Sequence, residues 1–173
     1  MTWLPEHAEA STGVERVFGL RPDLYEPFLA FYSTFWTHAL LDPVILELCR
    51  LRVAQLLRCD SELHVRYQPA LDAGLTEDQI AELRQWPTSP RFTAEHRAVL
   101  AFAEQFVIDV EGIDSDLRDA VIDHVDVGGL VALCEALALF DGFCRFRIIL
   151  GVEADPGPGI VVIPGPAPGQ ALP

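Results

Sequence analysis

The feature that most constrains this fold is the apolar stretch at residues 130–151, LVALCEALALFDGFCRFRIILG. Its composition predicts a helix that is apolar on nearly every side, and only a buried position tolerates such a helix. Charged residues interrupt the apolar run well before the roughly 20 residues that a transmembrane helix needs. No segment of the chain shows the sustained period-two alternation that is typical of strands. The sequence therefore predicts an all-α protein of about six or seven helices.

Helix signals recur before this stretch. Apolar side chains repeat every three to four residues after Pro22, at Leu24, Phe28, Phe31 and Phe35. Asp42 and Pro43 are a cap and a first-turn proline for a helix over VILELCRLRVAQLL. Residues 62–73, ELHVRYQPALDA, predict a further helix that Pro69 kinks or breaks early.

The same signals divide the chain into three parts. We predict a loosely structured N-terminal extension at residues 1–21 and a helical domain at residues 22–153. Residues 154–173 are rich in Pro and Gly, which predicts a flexible or extended tail. Its apolar run at residues 160–163 could attach the tail to a neighbouring surface.

The charge balance excludes several classes of partner. Arg supplies all 12 basic residues because Lys is absent, and 26 acidic residues bring the net charge to −14. Nucleic acid and anionic membrane surfaces would repel such a chain. The N-terminus lacks the basic region of a signal peptide, so we expect a cytoplasmic protein of bacterial type. Its four cysteines are then expected to be free thiols.

Four residues with chemical potential lie between positions 47 and 66. Cys59, Glu62 and Arg66 are separated by three and four residues, which places them on one face if this segment is helical. His64 would then point away from that face. Cys59 stands at or just before the helix start, where backbone N–H groups favour a thiolate. The alternatives are an exposed Glu62–Arg66 ion pair, a buried apolar Cys59, and a Glu47 that merely pairs with a nearby arginine.

The residues from Glu47 to Arg66, followed by Ala70 and Gly74-Leu75-Thr76, resemble the signature of the carboxymuconolactone decarboxylase and alkylhydroperoxidase D (AhpD) superfamily. That signature is a glutamate, then Cys-x-x-Cys-x-x-x-His or a variant with Glu at the second cysteine. The stretches FTAEHRAVLAFAEQF and LVALCEALALFDGFCRFRIILGVE resemble the second half of the family, so the resemblance spans roughly residues 22–153.

The resemblance implies an AhpD-like helical bundle that associates through apolar faces into a homo-oligomer, either a trimer or a hexamer. Glu47 matches the upstream glutamate, and Cys59 matches the first cysteine. Glu62 takes the place of the second cysteine of the redox branch, and Arg66 takes the place of the histidine. No metal or organic cofactor is expected, and no two histidines have metal-ligand spacing on one helix.

These departures decide which reaction is expected. Peroxide reduction needs an attacking thiol and a resolving thiol, and Glu62 cannot resolve a sulfenic acid. We expect no peroxidase activity unless folding brings Cys49 or Cys144 within disulfide reach of Cys59.

The first expectation is therefore cofactor-independent acid–base chemistry on a small anionic carbonyl or lactone substrate, as decarboxylation, isomerisation or cyclisation. Glu47 or Glu62 would be the base and Arg66 would hold the substrate, all in one pocket. The alternatives are a thiol antioxidant protein that uses Cys59 and a non-catalytic ligand-binding relative.

Overall fold

The architecture is an α-helical bundle with one small sheet, seen in a computed structural model that describes residues 13–152 and 160–163. Its described residues form eight α-helices and two short strands. The helices are α1 Gly13–Phe18, α2 Pro22–Thr37, α3 Pro43–Leu57, α4 Asp60–Leu63, α5 Gln68–Asp72, α6 Glu77–Ala81, α7 Ala94–Ile108 and α8 Ser115–Leu150. The strands are β1 Val65–Tyr67 and β2 Val161–Ile163. The all-α prediction is confirmed.

Helix α3 lies at the centre and packs against both α7 and α8. It begins as predicted, because Asp42 Oδ1 accepts a hydrogen bond of 2.7 Å from the Val44 N–H and Pro43 occupies the first turn. Almost every residue between Ile45 and Ala54 is buried, including Glu47 and Arg50. A helix buried on all sides that carries two charges must pair them inside the core.

Helix α8 contains the long apolar stretch and is bent once. Asp126 has φ 60° and ψ −178°, a backbone conformation that residues other than Gly rarely adopt. Its Oδ1 accepts a hydrogen bond of 2.9 Å from the Gly129 N–H, so Asp126 acts as a cap for the second part of the helix. The side chains of Leu133, Leu137 and Phe140 are buried in the main core.

By length and composition alone, α8 is apolar enough to cross a membrane. The core helices of soluble proteins pass the same test. Helix α8 contacts α3 and α7, and 39% of its most apolar 18-residue window is buried.

The predicted helix over residues 62–73 is wrong in its middle. The chain forms the single turn α4, then strand β1, then the short α5. Pro69 lacks a backbone N–H and lies in the first turn of α5, so a helix cannot run through it. Strand β1 instead pairs with β2 in parallel, with Val65 beside Val161 and Tyr67 beside Ile163.

The two ends of the chain lie partly outside the described residues. Residues 13–18 of the predicted N-terminal extension form α1, so the prediction of loose structure is wrong there. Phe18 of α1 is buried and stacks on Tyr25 and Phe146, with ring centroids 4.7 and 5.1 Å away. Residues 161–163 of the predicted tail form β2, while residues 1–12, 153–159 and 164–173 lie outside the described residues. The domain boundaries stay a prediction.

Candidate active site

Four charged side chains meet in the core where α3, α4 and α8 come together. Glu47 and Arg50 lie on α3, Glu62 on α4 and Arg147 on α8, and all four are at most 3% exposed. Arg50 binds Glu47 through two hydrogen bonds of 2.8 Å. Glu62 accepts one hydrogen bond of 2.8 Å from Arg50 and another of 2.9 Å from Arg147. We call these residues the buried quartet, and their formal charges sum to zero.

Arg50 is the centre of the quartet. Its remaining N–H groups donate to the backbone carbonyls of Glu62 and Val65, at 2.9 and 2.7 Å, so all five guanidinium donors have acceptors. Its guanidinium also lies 4.9 Å from the centroid of the Tyr67 ring. Burial opposes the charge of Arg50, yet the two carboxylates outweigh it and raise its pKa well above the usual range. Arg50 therefore stays charged and holds α3, α4 and β1 together.

The structure brings together two of the predicted catalytic residues but not the predicted substrate clamp. Glu47 and Glu62 both bind Arg50, whereas the sequence analysis expected them to share Arg66 in one pocket. Arg66 lies in β1 instead of on a helix, so the prediction of one shared helix face is wrong for it. Its guanidinium binds Glu77 of α6 at 2.8 and 3.2 Å and donates to the backbone carbonyl of Leu63. Arg66 thus anchors β1 to α6. The arginine that lies beside Glu62 is Arg147, where the sequence analysis had expected Arg66.

Cys59 stands at the start of α4, as predicted, and a left-handed residue places it there. Arg58 ends α3 with φ 58° and ψ 42°, which turns the chain so that the Cys59 N–H can donate to the Ala54 carbonyl at 2.9 Å. His64, at the other end of α4, is exposed and hydrogen bonds through Nδ1 with the Asp60 carbonyl, so it faces away as predicted.

The thiol of Cys59 is activated by its neighbours. A side-chain hydrogen bond with Cys144 is the main cause that lowers the pKa of Cys59, to about 7. The Ser61 hydroxyl, 3.4 Å from Sγ, and the Glu62 backbone lower it further, against the opposing effects of burial and the Glu62 carboxylate. Because α4 has a single turn, hydrogen bonds rather than a helix dipole account for the acidity. At neutral pH a large fraction of Cys59 is therefore thiolate.

The other three thiols have raised pKa values. Burial raises the pKa of Cys49 to about 12 and also raises that of Cys134. The hydrogen bond with Cys59 raises the pKa of Cys144 far above its ordinary value, and burial adds to this effect. Cys59 is thus the thiol most easily ionised, and Cys144 is the proton donor next to it.

A surface cleft of about 250 Å³ opens beside Cys59, between the α3–α4 junction and the C-terminal end of α8. Its lining includes two arginines and one aspartate, and the buried Arg147 is paired with Glu62. Glu47 and Glu62 are not among the described residues that line it. The lining residues are Arg58, Cys59, Asp60, Ser61, Arg147, Ile148, Gly151 and Val152.

Three residues of this site escaped the sequence analysis in full or in part. Arg50 was considered only as a local partner of Glu47, and Cys144 only as a distant thiol. Arg147 was missed, although a charge inside an apolar helix is a signal that a partner exists in the core. The neighbouring Arg145 forms an ordinary surface pair with Asp141 at 2.8 Å.

Among the described residues, no group of three or more His, Cys, Asp or Glu side chains could hold a metal ion.

Comparison with known proteins fits this geometry. The model of the carboxymuconolactone decarboxylase family matches residues 22–105, from α2 into α7. The match covers just under half of the 173 residues of the chain, so it is a similarity to this family over α2 to α7. The matched stretch includes Glu47, Arg50, Cys59 and Glu62, whereas Cys144 and Arg147 lie beyond it.

Two similar proteins extend the comparison. An uncharacterised Escherichia coli protein, YnjA, is 27% identical over 114 residues, which are 66% of this chain and 63% of that protein. The match therefore spans less than two thirds of that relative. The crystal structure of an Agrobacterium tumefaciens protein of unknown function, with a suggested role in antioxidant defence as AhpD, superposes with a TM-score of 0.69. It covers 82% of this chain and 97% of that protein at 18% identity, which shows a shared AhpD-like fold.

Proposed function

We propose that this protein is a thiol-dependent antioxidant enzyme that reduces organic hydroperoxides with Cys59 as the attacking group. The observation that carries the proposal is the position of Cys59, the one thiol with a lowered pKa, in the wall of the cleft. Both glutamates that the sequence favoured as bases are instead held in buried ion pairs. The antioxidant alternative thus ranks above acid–base chemistry.

The proposed reaction is a displacement on the peroxide. The Cys59 thiolate attacks one oxygen of the O–O bond, an S–O bond forms, and the O–O bond breaks. The alcohol leaves after its alkoxide takes a proton from solvent, and Cys59 remains as a sulfenic acid. A thiolate is the required nucleophile, and a pKa of about 7 supplies it at neutral pH without a metal.

Two further facts support the proposal. The similar Agrobacterium protein carries a suggested role in antioxidant defence. The free cysteines of the described chain suit a reducing compartment, so we place the enzyme in the cytoplasm with a small-molecule substrate.

The test is consumption of cumene hydroperoxide by the full chain with dithiothreitol as the reductant. Wild type should show turnover, Cys59→Ser should lose it, and Cys134→Ser, a cysteine outside the cleft lining, should keep it. Absence of turnover in wild type, or full activity in Cys59→Ser, would refute the proposal.

A second candidate keeps the acid–base chemistry but moves it to the cleft. Arg58, Asp60 and Arg147 are among the residues that line the cleft, and this set of charges would suit a small anionic carbonyl substrate. A reaction of this kind would survive Cys59→Ser and would be lost in Asp60→Asn, so adding Asp60→Asn to the set of variants separates the two functions.

A further inference from the structure

We propose that Cys59 and Cys144 form a redox-active pair that closes to a disulfide, with Cys144 as the resolving thiol. The two cysteines are distant in sequence, and the pair differs from a Cys-x-x-Cys motif because Glu62 occupies the second position of that motif. The peroxide-driven route to this disulfide rests on the proposed function.

The packing of α8 against α4 places the two thiols together. Each thiol perturbs the pKa of the other, so the two are neighbours, and both are buried in the main core cluster. One turn further along each segment, Glu62 and Arg147 form an ion pair of 2.9 Å. Glu62 follows Cys59 by three residues and Arg147 follows Cys144 by three residues, so this ion pair fixes the register in which the thiols meet.

The cleft gives the two thiols different roles. Both thiols are buried, at 1% exposure each, but Cys59 lines the cleft and Cys144 is not among its lining residues. A hydroperoxide in the cleft would therefore meet Cys59 first, with Cys144 behind it on the core side. The pKa values agree with this order, because Cys59 ionises before Cys144 and Cys144 retains its proton.

The proposed second step balances without a further oxidant. The Cys144 sulfur attacks the sulfur of the Cys59 sulfenic acid, an S–S bond forms, the S–O bond breaks, and water leaves with the Cys144 proton. The sulfur atoms must move from hydrogen-bond contact to a bond of about 2.05 Å. A dithiol reductant then returns two electrons and two protons to the pair.

Cys49 is a weaker candidate for the resolving thiol. Its pKa is raised by burial, whereas Cys59 and Cys144 each perturb the pKa of the other. Cys49 is also fully buried on α3, among the side chains of the core. Oxidation that linked Cys59 to Cys49 would therefore contradict the proposal.

The first arm of the test oxidises the reduced full chain with diamide, which needs no peroxidase activity. Peptide mapping by mass spectrometry under non-reducing conditions should then find Cys59 linked to Cys144, and Cys134→Ser should give the same link. Any other pairing, or two free thiols at these positions, would overturn the inference.

The second arm uses one equivalent of cumene hydroperoxide. Wild type should form the same disulfide, whereas Cys144→Ser and Cys144→Ala should retain a sulfenic acid on Cys59 that dimedone traps. Turnover in these variants should slow by about tenfold or more, because the external dithiol must attack the sulfenic acid itself.

The two proposals fail in different ways. If diamide links the pair but hydroperoxide leaves Cys59 reduced, the proposed function is wrong and the redox pair stands. If hydroperoxide converts Cys59 to a sulfenic acid while Cys144 stays free in wild type, the function stands and the resolving role of Cys144 is wrong.

Discussion

Removing one charge from the buried quartet should destabilise the fold strongly. The test is a double-mutant cycle with Glu62→Gln, Arg147→Met and the double variant. Each single substitution leaves the quartet with one uncompensated charge among side chains that are almost fully buried. The double variant leaves the neutral Glu47–Arg50 pair, whose two hydrogen bonds are unchanged.

The structure sets the size of the effect. The Glu62 carboxylate is in contact with both guanidinium groups, at 2.8 and 2.9 Å. Two unit charges about 4 Å apart interact by about 4 kcal/mol at an effective dielectric constant of about 20. Loss of one partner from a buried pair costs about 3–5 kcal/mol, mostly because the other charge is left unpaired. We expect each single variant to lose about that much, and the double variant to lose about 2–3 kcal/mol less than the sum.

The assay is urea unfolding followed by far-UV circular dichroism at one fixed protein concentration, since association would shift the apparent stability. Arg145→Met is the matched control, because Arg145 lies two residues before Arg147 on α8 and its own side chain, paired with Asp141, is about half exposed. Its cost should stay below about 1 kcal/mol. Additive costs in the cycle to within about 0.5 kcal/mol would refute the coupling that we infer from the geometry.

Two further predictions concern Cys59 and the assembly. The rate at which iodoacetamide alkylates Cys59 should rise with pH near 7 and level off above it, because the lowered pKa makes the thiolate available there. In the urea-unfolded chain the same rise should occur near the ordinary pKa of a thiol. Coincident pH profiles for the folded and unfolded chains would contradict the hydrogen-bonded thiolate. We also expect the trimer or hexamer that the family resemblance implies, because the apolar side chains of Leu24, Phe31 and Ile149 are each more than two fifths exposed. A monomer in light scattering at micromolar concentration would contradict this.

The sequence predicted the helices well because helix caps and apolar spacing involve residues that are close together in the chain. The Asp42 cap of α3 and the apolar spacing of α2 depend on residues within a few positions of one another. Strand β1 could not be found in this way. Its partner β2 lies far along the chain, and the pairing of Val65 with Val161 exists only after the bundle has formed. Arg66 was assigned to a helix for that reason.

The site divides along the same line. The spacing of Glu47, Cys59 and Glu62 in one stretch was enough to predict that they share a region of the fold. Arg147 and Cys144 reach that region from α8. No local sequence pattern predicts which face of α8 packs against α3 and α4. The charge of Arg147 within an apolar helix predicts a buried partner, but the packing alone identifies that partner as Glu62.

The quartet also gives a physical reason why a resolving thiol would come from α8. Glu62 binds both Arg50 and Arg147, and the resemblance aligns its position with the second cysteine of the redox branch. A neutral thiol at that position would remove one carboxylate from the quartet and leave the four positions with a net charge of +1. The carboxylate that excludes a Cys-x-x-Cys motif is the same group that binds Arg147 and thereby sets the register of α8. Cys144 lies one turn before Arg147 on α8. The Glu62–Arg147 ion pair therefore also places the Cys144 thiol next to Cys59.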